Sequence, residues 1–107
     1  GFTHVKDGYK RGFGKTPVFK KGNKYKTGSI TFVQELLKIG GYDIGTAGEN
    51  KDGIDDDFGG SLEKAIIKFQ KDNNIPDNGI IDKKTINLLY TKHGKEWLEM
   101  YKKEKNK

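Results

Sequence analysis

Apolar positions fall into three helical stripes separated by glycine- and aspartate-rich turns. Ile30, Val33, Leu36 and Leu37 share one face of a helix. Ser29 or Thr31 is placed to cap it, and Thr31 with Gln34 has capping-box spacing. Gly40-Gly41 stops it where a left-handed residue commonly closes a helix. Leu62, Ala65, Ile66 and Phe69 recur at i, i+3, i+4, i+7, with Ser61 as the expected N-cap and Asn73-Asn74 as the end before Pro76. Ile86, Leu89, Tyr90 and His93 repeat the pattern behind Asp82, the expected cap of a third helix. Gly94 is expected to interrupt it, leaving Trp97, Met100 and Tyr101 on a short terminal helix.

The connections are equally patterned. Residues 43–60 form a long Gly/Asp-rich loop, and Asp77-Asn78-Gly79 is a turn in which Asn-Gly supplies positive φ. A weak repeat at an offset of 23 aligns residues 56–66 with 79–89. Each copy runs turn, apolar anchor (Phe58 or Ile81), cap, helix. Residues 1–28 have no helical period, and Thr16-Pro17-Val18-Phe19 reads as extended, with one short strand expected around 17–20. These elements predict an all-α fold: a compact three-helix domain with an irregular basic N-terminal arm and a short C-terminal helix. The boundaries read as 1–27 arm or linker, 28–91 domain, 92–107 extension and tail.

Composition narrows the chemistry. Among 107 residues there is no cysteine, which excludes disulfides, thiolate metal sites and cysteine nucleophiles. No apolar run approaches the ~18–20 residues of a membrane helix. The first residue is Gly1 rather than Met, so a fragment or processed product is expected. The net charge of +6 is uneven. Residues 1–26 carry +7, residues 43–57 carry −5, and residues 92–107 carry +3. A basic chain favours a polyanionic partner, while its acidic middle breaks any continuous basic surface.

Catalytic and metal readings find little to stand on. Asn50, Asp52 and Gly53 match positions 3, 5 and 6 of an EF-hand loop, but Gly48 and Gly59 fall at positions 1 and 12, so the bidentate carboxylate is missing. Asp55-Asp56-Asp57 are adjacent and share one environment, unlike the separated, dissimilar carboxyls of a glycosidase. A solvated loop whose carboxylates cap the next helix is the simpler expectation. His4 and His93 lack the spacing of a zinc site, and His93 continues the third apolar face as a core or boundary histidine. No catalytic residue, metal or cofactor is expected. Lys6, Tyr9, Lys10, Arg11, Phe13, Lys15, Phe19, Lys20, Lys21 and Tyr25 could track a nucleic-acid backbone, but one arginine in the whole chain is poor for base or phosphate recognition. Trp97, Met100 and Tyr101 could form a ledge for sugar rings, or pack the terminal helix on its own domain.

Ordered motifs carry a family resemblance. Gly28-Ser29-Ile30, Val33-Gln34, Leu36-Leu37 and Gly41-Tyr42, then Phe58-Gly59, Ala65-Ile66 and Phe69-Gln70, then Asn78-Gly79-Ile80-Ile81, Thr85 and Leu88-Leu89, resemble the type 1 peptidoglycan-binding domain over about residues 28–90. The sequence departs from that family's pattern at four residue positions, and its loop at 43–57 is longer than the usual one. Asp55-Asp56 stands for Asp-Gly, Gly60 for Pro, Leu62 for Thr, and Asp82 for a common glycine. The resemblance implies a non-catalytic module that binds peptidoglycan and accompanies a covalently linked cell-wall hydrolase (amidase, muramidase or peptidase). It implies a monomer acting outside the cell at the bacterial wall, of cellular, spore or phage origin. A ligand groove is expected where the two turn-helix copies meet, with Gln34, Tyr42, Phe58, Gly59, Gln70, Asn78, Gly79 and Thr85 as candidates. The alternatives are nucleic-acid binding through the arm and a purely structural assembly role.

Overall fold

The computed structural model describes residues 19–25 and 28–105. Three helices account for most of them: α1 (Ser29–Ile39), α2 (Gly60–Asp72) and α3 (Lys83–Lys105). α1 is the central element: it contacts both α3 and α2, and its Phe32, Val33, Leu36 and Leu37 are fully buried. Ile66 and Phe69 of α2 and Ile86, Leu89 and Trp97 of α3 complete one contiguous core. The fold is all-α as the periodicity predicts.

The caps differ from expectation. Neither Ser29 nor Thr31 caps α1; Gly28 occupies the N-cap position and offers no side-chain bond. The capping group is the Asp56 carboxylate, which accepts from Ile30 N at 3.2 Å and Thr31 N at 2.8 Å, and also from Thr31 Oγ1 and Gly28 N. Ser61 likewise lies inside α2, whose N-cap is Gly59 with no side-chain bond. The acidic loop therefore caps the helix before it and not the one after it. Local spacing rules see only caps that are neighbours in sequence, and Asp56 reaches α1 from 25 residues away. Asp82 does cap α3 as expected, its Oδ1 accepting Thr85 N at 2.9 Å. Gly41, at φ +85°, closes α1 as expected, with Tyr42 N bonded to Leu37 O.

Gly94 does not interrupt α3, and the expected terminal helix is the last part of it. A helical glycine costs only ~1 kcal/mol relative to alanine, whereas fully burying one large apolar side chain returns ~1.5–3 kcal/mol. Trp97, one turn further on, is 1% exposed. It stands edge-on to Phe32 with centroids 5.0 Å apart, and its indole N–H donates to Glu35 Oε1 at 3.0 Å. Glycine is also required sterically, since a Cβ at residue 94 would lie 2.6 Å from the Tyr90 ring. Trp97 thus packs α3 on its own domain, leaving exposed Met100 as the described remnant of the sugar ledge. The Tyr101 side chain lies outside the described residues.

Phe19 is the other distant contributor. It is 6% exposed, and it exchanges two backbone hydrogen bonds with Ile81 (3.0 and 2.8 Å) in an antiparallel bridge. Tyr25 meets the Phe19 ring edge-on, and Lys20 N donates to the Tyr25 hydroxyl. The strand expected at 17–20 is reduced to this bridge among the described residues. His4 and the arm's other basic and aromatic positions up to Lys15 lie outside them.

His93 is a boundary residue, half-buried against the end of α1, where a Cβ on Gly40 would come within 2.6 Å of its Nε2. Burial lowers its imidazole below the ordinary 6.5; Lys92 pushes the same way and Glu96 opposes. The unfolded chain therefore binds more protons at this site, so its contribution to stability is complete above pH 6.5 and is lost as pH falls toward the folded value. His93→Gln should show a shallower loss of urea midpoint than wild type between neutral pH and pH 5, read by far-UV circular dichroism.

Candidate functional site

Two buried glutamines organise the turns. Gln34 is 2% exposed and Gln70 fully buried. Gln34 Nε2 donates to Asp55 Oδ1 (2.8 Å) and Asp57 O (3.3 Å), while its Oε1 accepts Asp56 N (3.1 Å). Gln70 Nε2 donates to Asn78 Oδ1 (3.3 Å), Ile80 O (3.0 Å) and Thr85 Oγ1 (3.2 Å), while its Oε1 accepts Gly79 N (2.9 Å). The first three partners correspond at the offset of 23: Asp55 with Asn78, Asp56 with Gly79, Asp57 with Ile80. Each turn also carries an Asx bond, from Asp57 N to Asp55 Oδ1 and from Ile80 N to Asn78 Oδ1. The middle residue is left-handed in both, Asp56 at φ +58° and Gly79 at φ +74°. The sequence repeat is a repeated hydrogen-bonding device.

Each turn delivers its anchor to the core, Phe58 at 3% exposure and Ile81 at zero. Among the described residues, no buried side-chain nitrogen or oxygen lacks a hydrogen-bond partner.

The first turn, the loop before it and the start of α2 frame a cleft of about 190 Å³. Ile44 and Leu62 give it an apolar floor; Gln34, Asp55, Asp57 and Ser61 give it polar edges. Gly59 and Gly60 also line it, at a helix start with no side-chain cap. N–H groups in the first turn of a helix have no intrahelical acceptor, so this rim offers donors beside the two aspartates.

The predicted residues separate into three places. Gln34 and Gly59 line the cleft, with Phe58 packed behind them in the core. Gln70, Asn78, Gly79 and Thr85 meet in the second turn, where Gln70 bonds to each of the others. Tyr42 stands apart. Its hydroxyl donates to Asp72 Oδ2 at 2.9 Å, and its ring is edge-on to Phe69. Burial, aided by Asp72, pushes that phenol up to about 12. The eight candidates therefore do not converge on a single groove.

Sequence reasoning missed Ile44 and Ser61 as lining residues. Ile44, an isolated apolar residue in an acidic loop, was the available signal, and it is 5% exposed. The acidic loop spends its groups internally. Asp52 Oδ1 accepts Ile54 N, its carbonyl accepts Lys38 Nζ, and Asp56 caps α1. Among the described residues, no group of three or more metal-ligating side chains is assembled.

The architecture is that of a small all-helical domain built on a duplicated turn-helix unit. A family model described as "Putative peptidoglycan binding domain" matches residues 26–89, more than half of the chain, and the chain belongs to that family. No solved structure matches it.

Asp56 tests the role of the first turn. Losing an N-cap costs ~0.5–2 kcal/mol, and a non-glycine residue with a Cβ in the left-handed region costs ~1–2 kcal/mol. Asp56→Ala loses the cap and keeps a Cβ in the left-handed region, so it should destabilise by about 1–2 kcal/mol. Asp56→Gly loses the cap but relieves the strain, and should lie between Ala and wild type. Asp56→Asn, which keeps an acceptor oxygen, should be the mildest. Urea denaturation of the three variants gives this order.

Proposed function

We propose that the protein binds peptidoglycan and, in the bacterial cell wall, holds a covalently linked hydrolase at its substrate. The observation that carries this reading is membership of the peptidoglycan-binding family over residues 26–89, which hold most of the three-helix core. The cleft beside Gln34 supports it. Apolar walls with a few fixed polar groups are the usual composition of a small-ligand site. At about 190 Å³ the cleft has room for a single amide-bearing group. A peptide amide offers one donor and one acceptor. The Asp57 carboxylate answers the donor, and the start of α2 answers the acceptor.

Targeting needs no tight site. A weak module on a tether raises overall avidity by roughly 10²–10⁴ through effective concentration alone. The module acts as a monomer outside the cell, and the chemistry belongs to its linked domain. The basic arm adds salt-sensitive attraction to anionic wall polymers, screened over ~8–10 Å at ordinary ionic strength.

Co-sedimentation with purified sacculi tests the reading. Wild type should pellet with the wall. Ser61→Trp, which fills the cleft from an exposed position, should bind at least about tenfold more weakly with an unchanged circular dichroism spectrum. Deleting residues 1–18 spares Phe19 and should leave wall binding in place. Retained RNA binding with no wall binding would instead favour the arm as the functional element, and no binding to sacculi at any salt would favour an assembly role.

A further inference from the structure

Asn78-Gly79 is the only Asn-Gly pair in the chain, and it lies in the second turn. In an open chain this pair is reactive, because glycine has no Cβ to obstruct the approach of its nitrogen to the asparagine side chain. Gly79 N, once deprotonated, attacks Asn78 Cγ. A Cγ–N bond forms, the Cγ–Nδ2 bond breaks, and the side-chain nitrogen leaves as ammonia, which takes up that proton. Water then opens the five-membered imide. Addition at Cγ leaves aspartate. Addition at the α-carbonyl leaves isoaspartate, with the main chain rerouted through Cβ and Cγ. Water is the sole co-reactant, and Asn78 is exposed to it.

In the folded chain the nucleophile is locked. Gly79 is buried, and its N–H donates to Gln70 Oε1 at 2.9 Å. A neutral carboxamide oxygen is too weak a base to take the proton, and burial keeps bulk water from it. Gln70 is itself fully buried and is held by Ile80 O and Thr85 Oγ1. Ile80 N and Gln70 Nε2 both donate to Asn78 Oδ1 and polarise Cγ, but no bond forms without a free nitrogen.

We propose that Asn78 is a fold-gated deamidation site: the closed second turn preserves it, each opening exposes it, and isoaspartate leaves a turn that cannot reclose around Gln70. The two products differ in what the fold tolerates. Aspartate has a precedent within the chain. Asp55, at the equivalent place in the first turn, accepts the same pair of bonds, from Gln34 Nε2 at 2.8 Å and Asp57 N at 3.1 Å. Isoaspartate adds a backbone atom where there is no slack. Gly79 is held at φ +74°, and a Cβ on it would already lie 3.0 Å from Glu63 Cγ and 3.4 Å from the Ile67 side chain. The inference is independent of the ligand that the domain binds.

The test follows the full chain at neutral pH, folded and in urea, by peptide mapping with mass spectrometry that separates aspartate from isoaspartate. Asn78 should react at least about tenfold more slowly in the folded chain, because opening leaves the Gln70 amide without its partners. Hydrogen exchange of the Gly79 amide needs the same opening, so its protection factor should match the slowing of deamidation. Thr85→Val is isosteric, removes one bond to Gln70, and should speed both processes by a common factor. Asn78→Asp should keep the Gly79 protection and a urea midpoint close to wild type. Isoaspartyl chains purified after ageing in urea should refold with that protection lost and a lower midpoint. Equal rates folded and in urea, or slowing out of step with Gly79 exchange, would overturn the lock, and no reaction in urea would overturn the site. An isoaspartyl chain with native Gly79 protection, or Asn78→Asp as unstable as that chain, would overturn the distinction between the products.

Discussion

A buried carboxamide, cut off from bulk solvent, must find partners for its donors and acceptor, and this protein uses that requirement twice. An unsatisfied buried polar group costs ~1–3 kcal/mol, comparable with a sizeable part of a small domain's total stability. Gln34 and Gln70 meet the requirement only when the two turns wrap around them with a left-handed middle residue. The turns in turn set the directions of Phe58 and Ile81, and so the start of the helix that follows each. Helix packing and turn geometry are thereby coupled through two amide groups.

The first copy adds a link that the second lacks. Glycine occupies the left-handed position in the second turn, whereas Asp56 occupies it in the first and extends a carboxylate to the start of α1. Aspartate tolerates this conformation better than most residues, and the cap recovers the remaining strain. A departure from the family's glycine has become the tie between the acidic loop and the central helix. The loop's negative charge is consequently structural in part, with Asp55 on Gln34 and Asp56 on α1, which leaves Asp57 as an exposed edge of the cleft.

The three helices, their apolar faces and the family were legible in the chain because a 3.6-residue period records burial directly. The Asp82 cap was legible for the same local reason. What was not legible depends on pairs distant in sequence. The α1 cap comes from Asp56, the indole of Trp97 bonds to Glu35 across 62 positions, and Phe19 pairs with Ile81. Gly94 misled because its local penalty is visible in sequence, whereas the Trp97 burial that outweighs it is a tertiary fact. The candidate site was half legible. The glutamines stood out as polar residues at special positions, but only coordinates show that their hydrogen-bonding capacity is already taken up within the turns.

Phe19 and Trp97 carry a lesson about modularity. The family pattern spans residues 26–89, yet the core is closed by one aromatic residue before that span and one after it. The piece that recombination could move intact between genes is therefore longer than the motif that identifies it. A transplant cut at the motif's edges would arrive with an open seam on each side, and a new host sequence would have to supply both missing aromatics.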